Sequence, residues 1–293
     1  MEQQLVPILK ALYLSSYVVA SLSLLEFIIV LLAGKKSRDK KESYANFGVW
    51  LVNRPLRAFV TGSVFLSILS LIKPFAFFVI PLNWMTAGLT LFVADFIYYW
   101  NHRLSHQIRL LWAYHSVHHS SGEFNLSTAI RLPWIGSAVD ALFYVPAVLL
   151  GFNPLMLAIS KAIVLLYQYW IHTESVGKLG AFDAVFNSPS NHRVHHGSNN
   201  LYLDKNHGGI LIIWDRLFNT YQAENEPVIY GLTTPLTTRN PFIINFIEPL
   251  NIASDVLRAS GIMDKFMFAF GPPGWKPVNA MGLPVICEII KKA

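Results

Sequence analysis

Eight of the ten histidines in this 293-residue chain fall in two short stretches, NHRLSHQIRLLWAYHSVHH at 101–119 and NHRVHH at 191–196. Their spacings are H-x3-H, H-x2-H-H and again H-x2-H-H. On a helix, residues three and four apart share one face about 5 to 6 Å apart. His102 with His106, His115 with His118 and His119, and His192 with His195 and His196 therefore each project a fan of imidazoles in one direction. Imidazole is the commonest neutral metal ligand near pH 7. Eight or more exceed the four that a single zinc usually takes, so the pattern predicts two metals. A nitrogen-rich, thiolate-free set suits iron as well as zinc, although affinity order alone favours zinc. The zinc-protease pattern H-E-x-x-H and the G-x-S-x-G elbow of serine hydrolases are both absent.

Something must carry these fans, and composition points to a bilayer. Hydrophobic residues make up 53% of the chain and charged ones 14%, with mean hydropathy +0.41, outside the balance of soluble domains. The net charge of +6 is not interleaved with aromatics on a polar surface, which argues against a nucleic-acid partner. A single cysteine, Cys287, excludes an intramolecular disulfide and reads as a small buried hydrophobe. Ala11–Leu32, with Glu26 its only charge, is long enough to cross about 30 Å of hydrocarbon. Ala58–Leu82 is a second such run, interrupted by Lys73 and Pro74. Trp84–Trp100, carrying Asp95, is a third, and Ile135–Leu150 and Leu155–Ile171 are shorter candidates. Lys35, Lys36, Arg38, Lys40, Lys41, Arg54 and Arg57 outnumber Asp39 and Glu42 in the segment after the first run, which places that segment in the cytosol. Alternating passes then deliver His102 and His172 to the same side. The first run reads as an uncleaved anchor, and 240–260 as a helix lying on the membrane surface. The expected fold is an all-α integral membrane protein with four to five transmembrane helices and a cytosolic helical cap holding the histidines.

An ionisable group in an apolar helix is costly unless partnered. Asp95, seven residues before His102, is thus a candidate to hold an imidazole N–H, as carboxylates behind metal-binding histidines do; Glu174, Asp204 and Asp215 are similar candidates. Asp140 and Lys161 are expected to pair with each other. Tyr98, Tyr99, Trp100, Trp112 and Trp134 read as an interfacial aromatic belt.

The motifs together resemble the membrane fatty acid hydroxylase and sterol desaturase superfamily of non-haem di-iron oxygenases. The resemblance is carried by DFIYYWNHRLSH at 95–106, HSVHH at 115–119, QYWIHTE at 168–174, SPSNHRVHHGSN at 188–199 and LDKNHGGILIIWDRLFNTY at 203–221, with FGPPGWKP at 270–277 as a further echo. HTE and PPGW lean toward the alkylglycerol monooxygenase-like branch. The resemblance implies a single domain: N-terminal transmembrane helices over 1–83, a histidine-box catalytic core over 84–222 and a cytosolic or interfacial segment over 223–293. It implies nine metal ligands: His102, His106, His115, His118, His119, His172, His192, His195 and His196. Gln168 stands where some hydroxylases carry another histidine, and is read as holding water or packing. His207, in KNHGG, stands where tyrosine is also common, and is read as supporting the site or facing substrate, with metal ligation the lesser alternative. Asn219 departs from the frequent WDRLFGT.

The implied activity is hydroxylation, or desaturation, of a C–H bond in a sterol, fatty acyl or alkyl-ether lipid, using two iron ions, O2 and external electrons. Zinc is expected to be able to occupy the purified protein. HGG at 207–209 lacks the proline of a cytochrome b loop, so electrons come from a separate redox protein or a diffusible reductant. The implied location is the endoplasmic reticulum of a eukaryote or the inner membrane of a bacterium. Two competing readings are a histidine-rich metal transporter, which needs binding groups along a midplane path, and a zinc-dependent membrane hydrolase, which needs no O2.

Overall fold

A computed structural model of the protein describes residues 2–32, 39–56 and 62–277. Lys35, Lys36, Arg38, Arg57 and Cys287 lie outside the described residues. Within them the chain is helical, and its only β-pairings are two isolated bridges, Phe186 with Leu211 and Gly197 with Tyr230.

Five apolar helices make a bundle: α1 (Glu2–Leu32), α3 (Gly62–Ile72), α4 (Trp84–Gln107), α7 (Ser137–Leu149) and α8 (Pro154–Trp170). Here α4 packs on α8, α3 on α7 and α1 on α8, around Phe65, Leu69, Ala94, Ala141, Tyr144, Val148 and Leu157. The starts of α4 and α8 are written in the sequence. Asn83 and Thr86 cap α4 reciprocally, and Asn153 accepts from the N–H groups of Leu155 and Met156 with Pro154 at the first helical position, where its missing N–H costs nothing.

The expected second span is shorter than its apolar run. α3 gives way at Lys73–Phe75 to one 3-10 turn, because Pro74 has no N–H to continue the α-helical ladder. The chain beyond lies against the α7–α8 turn, where Phe77 N–H donates to Leu149 O at 2.7 Å. Gly151 takes φ +101° at that turn, and a Cβ there would run into Phe78 O. Among the described residues one helix, Leu5–Leu32, is both long and apolar enough to cross a membrane. The expected pair of Lys161 with Asp140 is formed at 2.6 Å between α8 and α7.

The other expected run of α4 extends past Trp100 to Gln107, so this one helix carries His102 and His106 out of the bundle. Around that end gather α2 (Lys40–Leu56), α5 (Arg109–His119), α6 (Leu126–Ala129), α9 (Phe182–Val185), α10 (Pro189–His195), α11 (Ile213–Leu217), α12 (Pro241–Arg258) and α13 (Ile262–Phe270). Arg109 ties α5 to α12 through Glu248 at 2.8 Å and Asp255 at 2.7 Å. Fully buried Arg131 reaches Glu42 and Asn46 of α2 at 2.8 and 2.9 Å. The 240–260 segment is helical, and α12 leaves Phe242, Leu250 and Leu257 exposed.

Candidate metal centre

His102 and His106 occupy the last turns of α4, and His115, His118 and His119 occupy α5, which follows after one extended residue, Ile108. His172 lies just past the end of α8. The seven-residue α10 starts at the Ser188 cap and Pro189 and presents His192 and His195, with His196 at its C-cap. Short as it is, α10 is buried throughout, so packing holds it where helix propensity would not.

The nine imidazoles form two adjacent groups. His102, His106, His115, His119 and His195 offer one nitrogen each, all within 4.8 Å of one another, and His118, His172, His192 and His196 do the same. The groups touch where His119 stacks on His196, ring centroids 4.4 Å apart. All nine are buried except half-buried His115.

The outer face of several rings is pinned by backbone carbonyls. His102 Nδ1 lies 2.8 Å from His207 O, His172 Nδ1 2.7 Å from Gln168 O, His195 Nδ1 2.9 Å from Lys205 O and His118 Nδ1 3.3 Å from Arg131 O. A carbonyl can only accept, so each Nδ1 carries the proton and each Nε2 of the neutral ring is a bare lone pair. Yet His172 Nε2 lies 3.2 Å from His118 Nε2. Two lone pairs face each other with no proton between them. The Nε2 atoms of His106, His195 and His196 are likewise buried without a partner. Burial also pushes the His115, His119, His192, His195 and His196 imidazoles well below their usual pKa, and His118 down to about 4. The rings are therefore neutral at pH 7, the state a metal requires. Converging, unprotonated, buried nitrogens fit a pair of nitrogen-preferring cations, and carbonyls behind the rings fix their tilt and tautomer as metal-binding histidines need.

The candidate supporting residues divide. Asp204 Oδ1 lies 3.4 Å from His106 Nδ1, and Gln168 holds His172 through its main-chain carbonyl. The Gln168 amide is occupied elsewhere, accepting from Tyr98 Oη at 2.8 Å and donating to Val164 O at 3.1 Å, which is a packing role. Asp215 accepts from the N–H groups of His207 and Gly208 and so acts on His102 only through the loop. Asp95 does not hold an imidazole. Its carboxylate accepts from Ile210 N, Leu211 N and Trp214 Nε1, bracing the turn into α11. Glu174 accepts from Tyr230 Oη at 3.2 Å at the surface.

The aromatic belt is also corrected: Tyr99 and Trp134 are buried, Tyr98 lies against His102, and Trp112 lies against His106 and His119. The sequence reading missed the carbonyls of Arg131, Lys205 and His207, which no side-chain pattern announces. It also missed Phe124, which stacks on His172 with centroids 5.4 Å apart and lies 5.0 Å from His196; a lone phenylalanine in an irregular segment carries no signal.

Residues 87–220 match the family model for fatty acid hydroxylase. The chain is 43% identical over 197 residues to alkylglycerol monooxygenase of Homo sapiens, covering 67% of this chain and 43% of that protein. Against alkylglycerol monooxygenase of Xenopus tropicalis it is 41% identical over 205 residues, 70% of this chain and 45% of the relative. The ornithine lipid hydroxylase OlsE of Rhizobium tropici is 32% identical over 165 residues, 56% of this chain and 50% of that protein. The chain thus spans less than half the length of the alkylglycerol monooxygenases it matches. No solved structure matches it.

Proposed function

Starting from the fatty acid hydroxylase family, to which the chain belongs through residues 87–220, we propose that this protein is a membrane-bound di-iron monooxygenase that hydroxylates a lipid. The observation that carries the reading is the pair of adjacent imidazole groups, with the outer nitrogens of four of the rings pinned by carbonyls. The substrate class is an alkyl-ether lipid, supported by the relatives named alkylglycerol monooxygenase. All nine histidines act as ligands, five to one ion and four to the other. When bound, the iron pair supplies the reduction of O2 and the removal of hydrogen from a C–H bond that acid or base chemistry cannot activate.

The protein's own part is positional. The carbonyls of Gln168, Arg131, Lys205 and His207 hold the rings, burial keeps water from the reacting carbon, and Phe124 gives the four-histidine group an apolar wall. An ether R–CH2–O–R′ takes up one oxygen atom from O2, with two external electrons and two protons reducing the other atom to water. The hemiacetal R–CH(OH)–O–R′ then collapses to an aldehyde and the alcohol R′OH. The electrons come from a redox protein or a diffusible reductant. The bundle of α1, α3, α4, α7 and α8 forms the membrane stem, and the histidines lie at its cytosolic end.

The test supplies ferrous iron, a reductant, 18O2 and an alkylglycerol lipid to the full chain in lipid bilayers. Label in the aldehyde product and none in the alcohol R′OH is expected. An alkene with all label in water, or turnover without O2, would overturn the assignment.

A further inference from the structure

His207 is the one histidine outside the two groups. It is fully buried, and neither ring nitrogen has a hydrogen-bond partner. Orphaned buried nitrogens are rare in folded proteins and call for an ion or water to account for them. The ring stands with the five-histidine group: its centroid lies 5.1 Å from His106, 5.6 Å from His102 and 5.7 Å from His195. Those three separations are of the size found within the group, from 4.3 Å for His102 and His195 to 6.2 Å for His115 and His195, although the ring nitrogens of His207 do not fall within the 4.8 Å that unites all five.

The loop around it is built to keep it there. Asp215 accepts from the N–H groups of His207 at 2.8 Å and Gly208 at 2.7 Å. Asn206, in the left-handed region at φ +57°, donates to Asn191 O and Gln222 O. The His207 carbonyl receives His102 Nδ1. On the side chain, Nδ1 lies 3.6 Å from Asp215 Oδ1, both groups fully buried. At that distance the carboxylate makes no hydrogen bond to the ring, but its charge favours the proton on Nδ1 and leaves Nε2 as the free lone pair.

Resting on the reading of the two groups as metal-binding, we propose that His207 is a sixth imidazole donor to the metal of the five-histidine group, binding through Nε2 with Asp215 behind Nδ1–H. With six imidazoles, an ion bound by His102, His106, His115, His119, His195 and His207 would be left no position for an outside ligand, whereas one bound by His118, His172, His192 and His196 would keep one. The two metals are therefore unequal, and the reacting lipid carbon belongs on the four-histidine side, beside Phe124.

Cobalt(II) tests this without turnover, because its visible bands are weak when six-coordinate and stronger when four- or five-coordinate. The full chain in lipid bilayers is loaded with cobalt and titrated with azide. The unmodified protein is expected to hold two cobalt ions, bind one azide and show one weakly and one strongly absorbing ion. In His207→Ala the weak bands are expected to strengthen, a second azide to bind, and one cobalt to leave to a chelator roughly tenfold faster. His207→Phe keeps the ring volume and is expected to behave the same way if the alanine variant folds poorly. Two azides on the unmodified protein, or variants with its spectrum and release rate, would overturn the assignment of His207. An unmodified protein that takes no cobalt would instead overturn the metal reading on which it rests.

Discussion

At the residue scale, the centre depends on fixing the outer nitrogen of several imidazoles, those of His102, His118, His172 and His195 by main-chain carbonyls. Spacing alone reveals the imidazoles, since H-x3-H and H-x2-H-H are helical-face patterns. It does not reveal the holders, because a main-chain carbonyl leaves no mark on the sequence and is brought into place only by the fold. Arg131 shows how much hangs on one such position. Its carbonyl accepts from His118 Nδ1, while its guanidinium, 1% exposed, binds Glu42, Asn46, Ser120 Oγ and Val117 O. Breaking a buried pair by removing one partner costs about 3–5 kcal/mol, because the other charge is left uncompensated. Glu42 keeps Arg239 Nε at 3.4 Å, so Arg131→Met is expected to lower the denaturation midpoint by an amount equivalent to part of that loss. The double variant Arg131→Met with Glu42→Gln is expected to recover part of it, and a double variant no more stable than the single would argue against the pair as the cause. Replacement of a ligand is expected to act differently. His195→Ala and His118→Ala should each abolish product, and metal analysis by plasma mass spectrometry should find fewer than two ions per chain.

At the element scale, the helices were legible where the sequence carries explicit start signals and less so where they end. Asn83 with Thr86 and Asn153 with Pro154 mark the starts of α4 and α8. The apolar run from Ala58 to Leu82 hides the end of α3, since hydropathy does not register that Pro74 breaks the hydrogen-bond ladder or that 76–82 lies against another turn. Asp95 is the other instructive case: a lone carboxylate in an apolar helix signals a partner but not which one. Its partners are the N–H groups of Ile210 and Leu211 and the Trp214 indole, so it fastens α4 to the segment that includes His207. Close packing reinforces the joint, since a Cβ on Gly209 would lie 2.6 Å from Asp95 Oδ1. Asp95→Ala strands these donors, and each buried orphan costs about 1–3 kcal/mol. The expected result is a destabilised loop seen as faster amide exchange at 207–211, with metal released more readily. Asp95→Asn, which keeps an acceptor oxygen, is expected to be milder, and equal exchange in both variants would refute the bracing role.

At the scale of the whole molecule, the two ends of the bundle differ in chemistry, and under the proposed stem that difference predicts a topology that can be measured. One end gathers nine histidines under α2, α5, α10 and α12. The other, where the 73–82 segment meets the α7–α8 turn, exposes Leu71, Phe75, Phe77, Val79, Trp84 and Met85. Helices of 11, 13 and 17 residues in α3, α7 and α8 fall short of the roughly 20 that a full crossing takes. Extended apolar segments at the far end, rather than longer helices, therefore complete the distance in the proposed stem. Sequence alone could not show this, because a span made partly of non-helical chain needs neighbours to satisfy its backbone, and those neighbours come from distant residues such as Leu149 and Gly151. The proposed stem is therefore expected to place Lys40 and Lys178, at the histidine end, on one side of the membrane, with Val79, 93% exposed, at or beyond the opposite boundary. With Cys287→Ser as background, Lys40→Cys and Lys178→Cys are expected to react with a membrane-impermeant maleimide from the same face of sealed vesicles. Val79→Cys is expected to be protected from that face and to react from the other. Labelling of Lys40→Cys and Lys178→Cys from opposite faces would refute the five-helix stem. Labelling of all three from one face would place the exposed aromatic end on the same side as the histidines, and the bundle would then lie along the bilayer instead of through it.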